Sequence, residues 1–270
     1  MLSVNGIPVE YTLFNDNTSQ IWHLPENITK LDWAIIEWEF FHEMEIMHLA
    51  QLKDLLDAWN TKTVLEIKYL PYARQDKNIS NDTTFALHTF AKILNAMNFY
   101  SIKILDPHSE VALNLIKNSS AVYPVEQVKQ AIQLVNADGI VYPDKGASIK
   151  YDKIYEFPSI SGEKVRDQAT GKINKLVVPD AKRVTGGNIL IVDDIMDGGA
   201  TFILLAQILR FYTPKEMNLF VTHGIFSKGL KKLREEGIKR IFTAEGEVMG
   251  NDRSSLTIVP FEELSKQKVS

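Results

Sequence analysis

The stretch that most restricts the fold is Asn188–Thr201, NILIVDDIMDGGAT. Ile189–Val192 is apolar at every position, so a strand here has no face to offer water and must be covered on both sides. That is the situation of a central strand in a parallel α/β sheet. Two acids follow at once, then a glycine pair, then residues that favour a helix. Ligands of open α/β sheets bind beyond the carboxyl ends of the strands. Glycines before a helix amino terminus let backbone amides approach an anion. Asp193 and Asp194 then suit sugar hydroxyls or a metal carried by the substrate, and Asp197, Gly198, Gly199, Ala200 and Thr201 suit a phosphate. The plainer alternative is a strand ending in solvated acids, with Asp197 capping the helix.

The rest of the chain repeats the strand–loop–helix theme. Thr63–Tyr69 and Ser101–Leu105 read as strands, ended by Pro71 and by Asp106-Pro107. Gly139–Tyr142 and Asn218–Thr222 give the same signal. Phe41, Met44, His48, Leu52, Leu55 and Trp59 mark one face of a helix over 40–59. Asp82 is positioned to cap a helix carrying Leu87, Phe90, Leu94 and Met97, and Ser109 to cap a short one through Lys117. Val125, Val128, Ile132 and Val135 stripe another, and helices are expected over Ala200–Phe211 and Ser227–Glu236. Alternating strands and helices predict parallel sheets with helical cover. The theme occurs in both halves, so two α/β domains are expected, 1–136 and 137–270. Residues 159–175, SISGEKVRDQATGKINK, are polar and lack an apolar period, which predicts a functional or disordered loop.

Charge and composition narrow the partners. Residues 1–60 carry ten acidic and two basic side chains, and the net charge is −4. An acidic first segment argues against a nucleic-acid surface, which needs clustered Lys and Arg. No cysteine is present, so disulfides, thiolate metal sites and Cys nucleophiles are excluded. No apolar run reaches the roughly 18–20 residues that span a bilayer. Nor does a basic residue precede Lys30, so neither a secretory leader nor a transit peptide is expected, and the chain reads as cytoplasmic.

Further motifs lie at predicted strand ends. They are Tyr69–Lys77 (YLPYARQDK), Asp106-Pro107-His108-Ser109, and Tyr142–Ala147 (YPDKGA), with Lys164 and Arg166 inside the polar loop. Taken singly, each has an ordinary reading: a charged post-strand turn, a structural histidine, a solvated acid, scattered surface cations. Together with IVDDIMDGGAT they resemble the ribose-phosphate diphosphokinase (PRPP synthetase) family. The DD-loop alone is shared with type I phosphoribosyltransferases. The phosphate loop reads D-G-G-A-T where the family usually has D-T-G/A-G-T, and Tyr142 and Ala147 depart from the family's S-P-D-x-G-G.

The resemblance runs from about Phe14 to Ser227. It implies two tandem type I phosphoribosyltransferase-like domains, the first on the ATP side and the second on the ribose 5-phosphate side. The implied reaction moves the diphosphoryl group of ATP to the 1-hydroxyl of ribose 5-phosphate. Arg74 and Gln75 inherit contact with ATP, and His108 and Asp144 the nucleotide-bound Mg2+, although magnesium prefers oxygen donors and water. Asp193, Asp194 and Asp197–Thr201 inherit the sugar phosphate, and Lys164 and Arg166 the catalytic closing loop. Phe14 and Asp16 partly match the family's adenine loop F-x-D-G-E, which comes from a neighbouring subunit, so a homo-oligomer is expected. Thr222-His223 and Ile225–Ser227 match a family stretch read as scaffold; His23, His42, His48 and His88 read as structural or surface. The other expectations left open are a phosphoribosyltransferase that consumes PRPP and a non-catalytic regulatory homologue.

Overall fold

Strand pairing organises the chain into two units, the first covering Met1–Tyr123 and the second beginning at Pro124. The computed structural model describes residues 1–22, 24, 28, 31–166, 173–246 and 256–260, with backbone only at 164–166, 173–175 and 245–246. His23 lies outside the described residues. No helix among those described is long and apolar enough to cross a membrane.

In the first unit the strands are β1 (Leu2–Val4), β2 (Ile7–Pro8), β3 (Thr12–Leu13), β4 (Ser19–Gln20), β5 (Trp33–Trp38), β6 (Lys62–Ile67), β7 (Ser101–Leu105) and β8 (Ser119–Val122). The helices are α1 (Met44–Ala58), α2 (Ala86–Ala96) and α3 (Glu110–Leu115). A six-stranded sheet runs β2-β1-β5-β6-β7-β8. Its last four strands are mutually parallel, and β1 joins β5 antiparallel. Leu49, Leu52 and Leu56 of α1 and Leu87, Phe90 and Leu94 of α2 are buried with Ala34, Ile36, Trp38, Leu65, Ile102 and Ile104 of the sheet. Burial of such side chains contributes roughly 1.5–3 kcal/mol each, and this core fixes the strand ends in space. β3 and β4 form a separate two-stranded ribbon.

Two local expectations are corrected here. The buried stripe of α1 is Glu45, His48, Leu49, Leu52, Lys53 and Leu56, whereas Phe41 lies outside the helix and is exposed. The two charges are tolerated inside because they are partnered. Glu45 accepts from Trp38 Nε1 and the Phe41 amide, each at 3.1 Å. Lys53 pairs with Asp57 and lies over the Phe99 ring. Asp82 does not cap α2, which starts four residues later; its carboxylate accepts from the Ser80 hydroxyl instead.

The second unit contains α4 (Val125–Val135), β9 (Gly139–Tyr142), α5 (Lys145–Tyr155), β10 (Ser159–Ser161), β11 (Glu163–Arg166), β12 (Ile173–Val177), β13 (Asn188–Met196), α6 (Ala200–Arg210), β14 (Glu216–Gly224), α7 (Lys231–Glu235), β15 (Ile238–Gly246) and β16 (Leu256–Ile258). Its six-stranded sheet, β10-β9-β13-β14-β15-β16, is parallel throughout. The helix α4 belongs to this unit. Strand β13 continues through both acids to Met196, since Ile195 and Met196 still pair with His223 and Gly224 of β14. The described part of the polar 159–175 segment forms strands. Ser159–Ser161 joins the sheet, and β11 and β12 pair as an antiparallel ribbon.

Candidate active site

In the first unit the motif residues gather at the carboxyl ends of neighbouring parallel strands. Tyr69–Lys77 follows β6 and Asp106–Ser109 follows β7. The Ser109 hydroxyl donates to Asp76 Oδ2 at 2.8 Å, joining the two loops. Ser109 therefore does not cap α3 with its side chain, although it occupies the N-cap position. Both loops hold a non-glycine residue in the left-handed region, Tyr72 at φ 63° and Asp106 at φ 43°. Such strain costs on the order of 1–3 kcal/mol and clusters at functional sites. Tyr72 is held by donating to Glu43 Oε1 at 2.5 Å. Burial, reinforced by that carboxylate, pushes its phenol up to about 12. Arg74, Gln75 and His108 are exposed around this frame.

Phe14 and Asp16 lie on the β3–β4 turn. The Thr18 amide and hydroxyl donate to Asp16 Oδ1 at 3.0 and 2.7 Å, which holds its carboxyl below the ordinary value. Phe14 meets Trp22 edge-on, with ring centres 6.3 Å apart.

In the second unit the DD-loop is assembled from three strand ends. Asp193 and Asp194 lie on the last half of β13, and Asp144 follows β9. Asp144 caps α5 by accepting from the Ala147 amide at 3.0 Å. Burial first, then the charges of Asp194 and Asp144, hold the Asp193 carboxyl well above the ordinary value, and the two neighbouring carboxyl groups share a hydrogen bond. Mutual repulsion of this kind is what a cation or a set of hydroxyl donors relieves.

The glycine turn that follows carries the clearest backbone requirement. Gly199 has φ 75°, and a Cβ there would lie 2.8 Å from Met196 Cε. Gly199 is the N-cap of α6, and no side chain caps the helix. Asp197 instead accepts from the Ser227 hydroxyl, so the capping alternative raised by the sequence does not occur. The Ile225 amide donates to Met196 O at 2.8 Å, and the Lys228 stem packs over Gly198. The loop after β14 thus braces the loop after β13. Among the described residues no side chain caps the first-turn amides of α6, an arrangement suited to an anion.

Lys164 and Arg166 are both on β11, paired with Leu176 and Ile173 of β12. Their side chains, and residues 167–172, lie outside the described residues. The base of this ribbon is pinned: the Gly162 amide donates to Tyr142 O at 2.9 Å. A Cβ at Gly162 would come within 2.7 Å of Pro143 O, so the chain entering the ribbon packs against the residue immediately before Asp144. Sequence reasoning missed Asp76, Ser227 and Lys228, whose roles depend on partners in other loops. It also missed Lys150, whose ammonium lies 3.8 Å from Asp194 Oδ2.

Among the described residues no three His, Asp or Glu side chains are arranged to hold a metal by themselves. Magnesium does not require such a cage. It keeps several waters and binds through one or two carboxylates plus substrate oxygens, and the crowded Asp193, Asp194 and Asp144 fit that donor set.

Parallel strands with motif loops at their carboxyl ends and a helix without a side-chain cap behind a D-G-G turn define a phosphoribosyltransferase-type protein. The Phosphoribosyl transferase domain model matches residues 153–252. The ribose-phosphate pyrophosphokinase of Saccharolobus solfataricus is 26% identical over 268 residues, covering 96% of this chain and 90% of that protein. The protein of the same name from Pyrococcus abyssi is 28% identical over 204 residues, with 73% and 70% covered. The crystal structure of phosphoribosylpyrophosphate synthetase from Mycobacterium smegmatis superposes with TM-score 0.76 at 18% identity, covering 94% of this chain and 86% of that one. These likenesses support the ribose-phosphate diphosphokinase (PRPP synthetase) family of enzymes for this chain.

Proposed function

We propose that the protein transfers the diphosphoryl group of MgATP to the 1-hydroxyl of ribose 5-phosphate, giving PRPP and AMP. The observation that carries this reading is the first unit's pair of joined loops. Arg74, Gln75 and His108 are presented at adjacent strand ends by strained backbone and by the Ser109–Asp76 hydrogen bond. A phosphoribosyltransferase, which consumes PRPP, has no use for that apparatus. The whole-chain likeness to proteins named ribose-phosphate pyrophosphokinase points the same way.

In this reading Arg74 and Gln75 hold the nucleotide. Phe14 and Asp16 serve the adenine of a neighbouring subunit in a homo-oligomer, for which the exposed Leu13, Phe14 and Trp22 supply apolar surface. Asp193 and Asp194 accept from the ribose hydroxyls, orienting the 1-hydroxyl. Asp197, Gly198, Gly199, Ala200 and Thr201 receive the 5-phosphate on the amides at the start of α6. Lys164 and Arg166 close over the phosphates and neutralise charge that develops as the β-phosphorus changes partners. Such transfers draw most of their acceleration from positioning and electrostatics. His108 in the first unit and Asp144 in the second are each read as magnesium-side residues, and magnesium, when bound, would lower the negative charge on the phosphates.

Incubation with ribose 5-phosphate and MgATP, with AMP as the readout, tests the proposal. AMP formation dependent on both substrates is expected. Release of pyrophosphate from PRPP and a nucleobase would instead mark a phosphoribosyltransferase. Neither product would mark a regulatory homologue.

A further inference from the structure

A cation lies beside the acidic cluster, and neither the motifs nor the proposed reaction uses it. Lys150 is on the middle of α5, yet its side chain is only 15% exposed, and its ammonium is 3.8 Å from Asp194 Oδ2. The ammonium also lies 4.7 Å over the ring of Tyr151, itself fully buried and stacked between Tyr142 and Tyr155. An ammonium held this far from water is costly unless an opposite charge compensates it. Asp194, on β13, supplies that charge with a side chain 7% exposed. The effect on the carboxylate is specific. Oδ2 is the oxygen that faces Lys150, across an ion pair of 3.8 Å. Asp193 shares a side-chain hydrogen bond with the same carboxyl group.

We infer that Lys150 is a positioning residue for ribose 5-phosphate, holding Asp194 as a charged, oriented acceptor for the sugar hydroxyls. The inference rests on the assignment of Asp194 to the sugar. It gives the two adjacent acids different work. Asp194 is anchored by a cation from α5, whereas Asp193, with Asp144 beside it, is left to meet a cation or donor that arrives with substrate. Charge-assisted hydrogen bonds are roughly twice as strong as neutral ones, so a hydroxyl bound to an anchored carboxylate gains over one bound to a loose carboxyl. Lysine at this position need not touch substrate to act.

The test is steady-state kinetics on the full chain with Lys150→Met, Lys150→Arg, Asp194→Asn and the double variant Lys150→Met/Asp194→Asn. Lys150→Met should raise the KM for ribose 5-phosphate about tenfold, the effect of weakening one charge-assisted contact. Its kcat should stay within about twofold and its ATP KM unchanged, with Lys150→Arg recovering most of the loss. Because Lys150 acts through Asp194, the double variant should be no worse than Asp194→Asn alone. The double variant also removes both charges, so it reports even where the single Met variant fails to fold. Losses that multiply in the double variant, or a Lys150→Met enzyme with unchanged ribose 5-phosphate KM, would overturn the role of Lys150 and leave the sugar site standing. An Asp194→Asn enzyme with undiminished sugar-phosphate affinity would overturn both.

Discussion

Adjacent glycines in the phosphate turn offer a sharp contrast, because the structure assigns them opposite tolerances. Gly199 has φ 75°, and a Cβ there would press on Met196 Cε at 2.8 Å. A non-glycine residue in this region costs about 1–2 kcal/mol, and crowding a packed core residue costs typically 1–3 kcal/mol more. Met196 is fully buried, but its Cε is the far end of a flexible side chain, which favours the lower part of that range. Gly199→Ala should therefore lose about 2–4 kcal/mol, a fall in Tm of roughly 6–12 °C for a unit of this size. Gly198 has no positive φ, and a Cβ there would meet only the Lys228 stem at 3.4 Å. Gly198→Ala should stay within about 0.5 kcal/mol of the parent. Binding should separate them too: displacing the start of α6 moves its amides, and such shifts weaken binding steeply. Calorimetric titration with ribose 5-phosphate should show a large loss for Gly199→Ala and ATP binding intact. Equal melting temperatures for the two variants would refute the strain argument, and equal sugar-phosphate affinities would refute the cradle.

Three further outcomes are expected. Lys164→Ala or Arg166→Ala should lower kcat and kcat/KM together by on the order of 10²–10³ with little change in substrate affinity; rapid-quench turnover near the parent rate would reduce the ribbon to a linker. Arg74→Ala should raise the apparent KM for ATP more than that for ribose 5-phosphate, and equal effects in initial-rate assays would contradict its place on the nucleotide. Asp193→Asn should change the pH dependence of stability. Burial holds the native Asp193 carboxyl well above its ordinary value, so the folded chain keeps a proton that the unfolded chain releases. Its stabilising contribution is then full below the ordinary carboxylate range and is lost as pH rises toward the raised value. Melting curves should show the Asn variant gaining on the parent as pH rises from 4 toward neutrality, and a gain on acidification would reverse the argument.

What the sequence made legible depended on how far away the deciding partner lies. The turn at Asp197–Thr201 could be read locally: Ile189–Val192 is too apolar to be an edge, and the left-handed Gly199 needs only its own lack of a Cβ. The end of β13 could not, because the ladder through Ile195 and Met196 is decided by β14. Caps failed for the same reason. Ser109 has the right residue type and place, yet its hydroxyl is taken by Asp76, 33 residues earlier. On α1, a search for apolar periodicity passes over Glu45 and Lys53. Both are buried because Trp38, Phe41, Asp57 and Phe99 receive them.

Lys150 is the extreme case. In SIKYDK it reads as one solvated cation among several, and Lys145 and Lys153 on the same helix are exposed. Only the parallel register of β9 with β13, which sets Val141 beside Ile191, brings α5 alongside the strand that carries Asp194. A charged side chain placed there by topology would cost the fold unless an opposite charge met it. The acids of the DD-loop therefore do two things. They lie toward the carboxyl end of β13, where ligands of such sheets bind, and one of them also pairs with the helix that follows Asp144. Neutralising Asp194 should loosen α5, which ties hydrogen-exchange protection of Lys145–Tyr155 to the same carboxylate proposed to bind ribose. Asp193→Asn, with no lysine to release, should leave that protection unchanged.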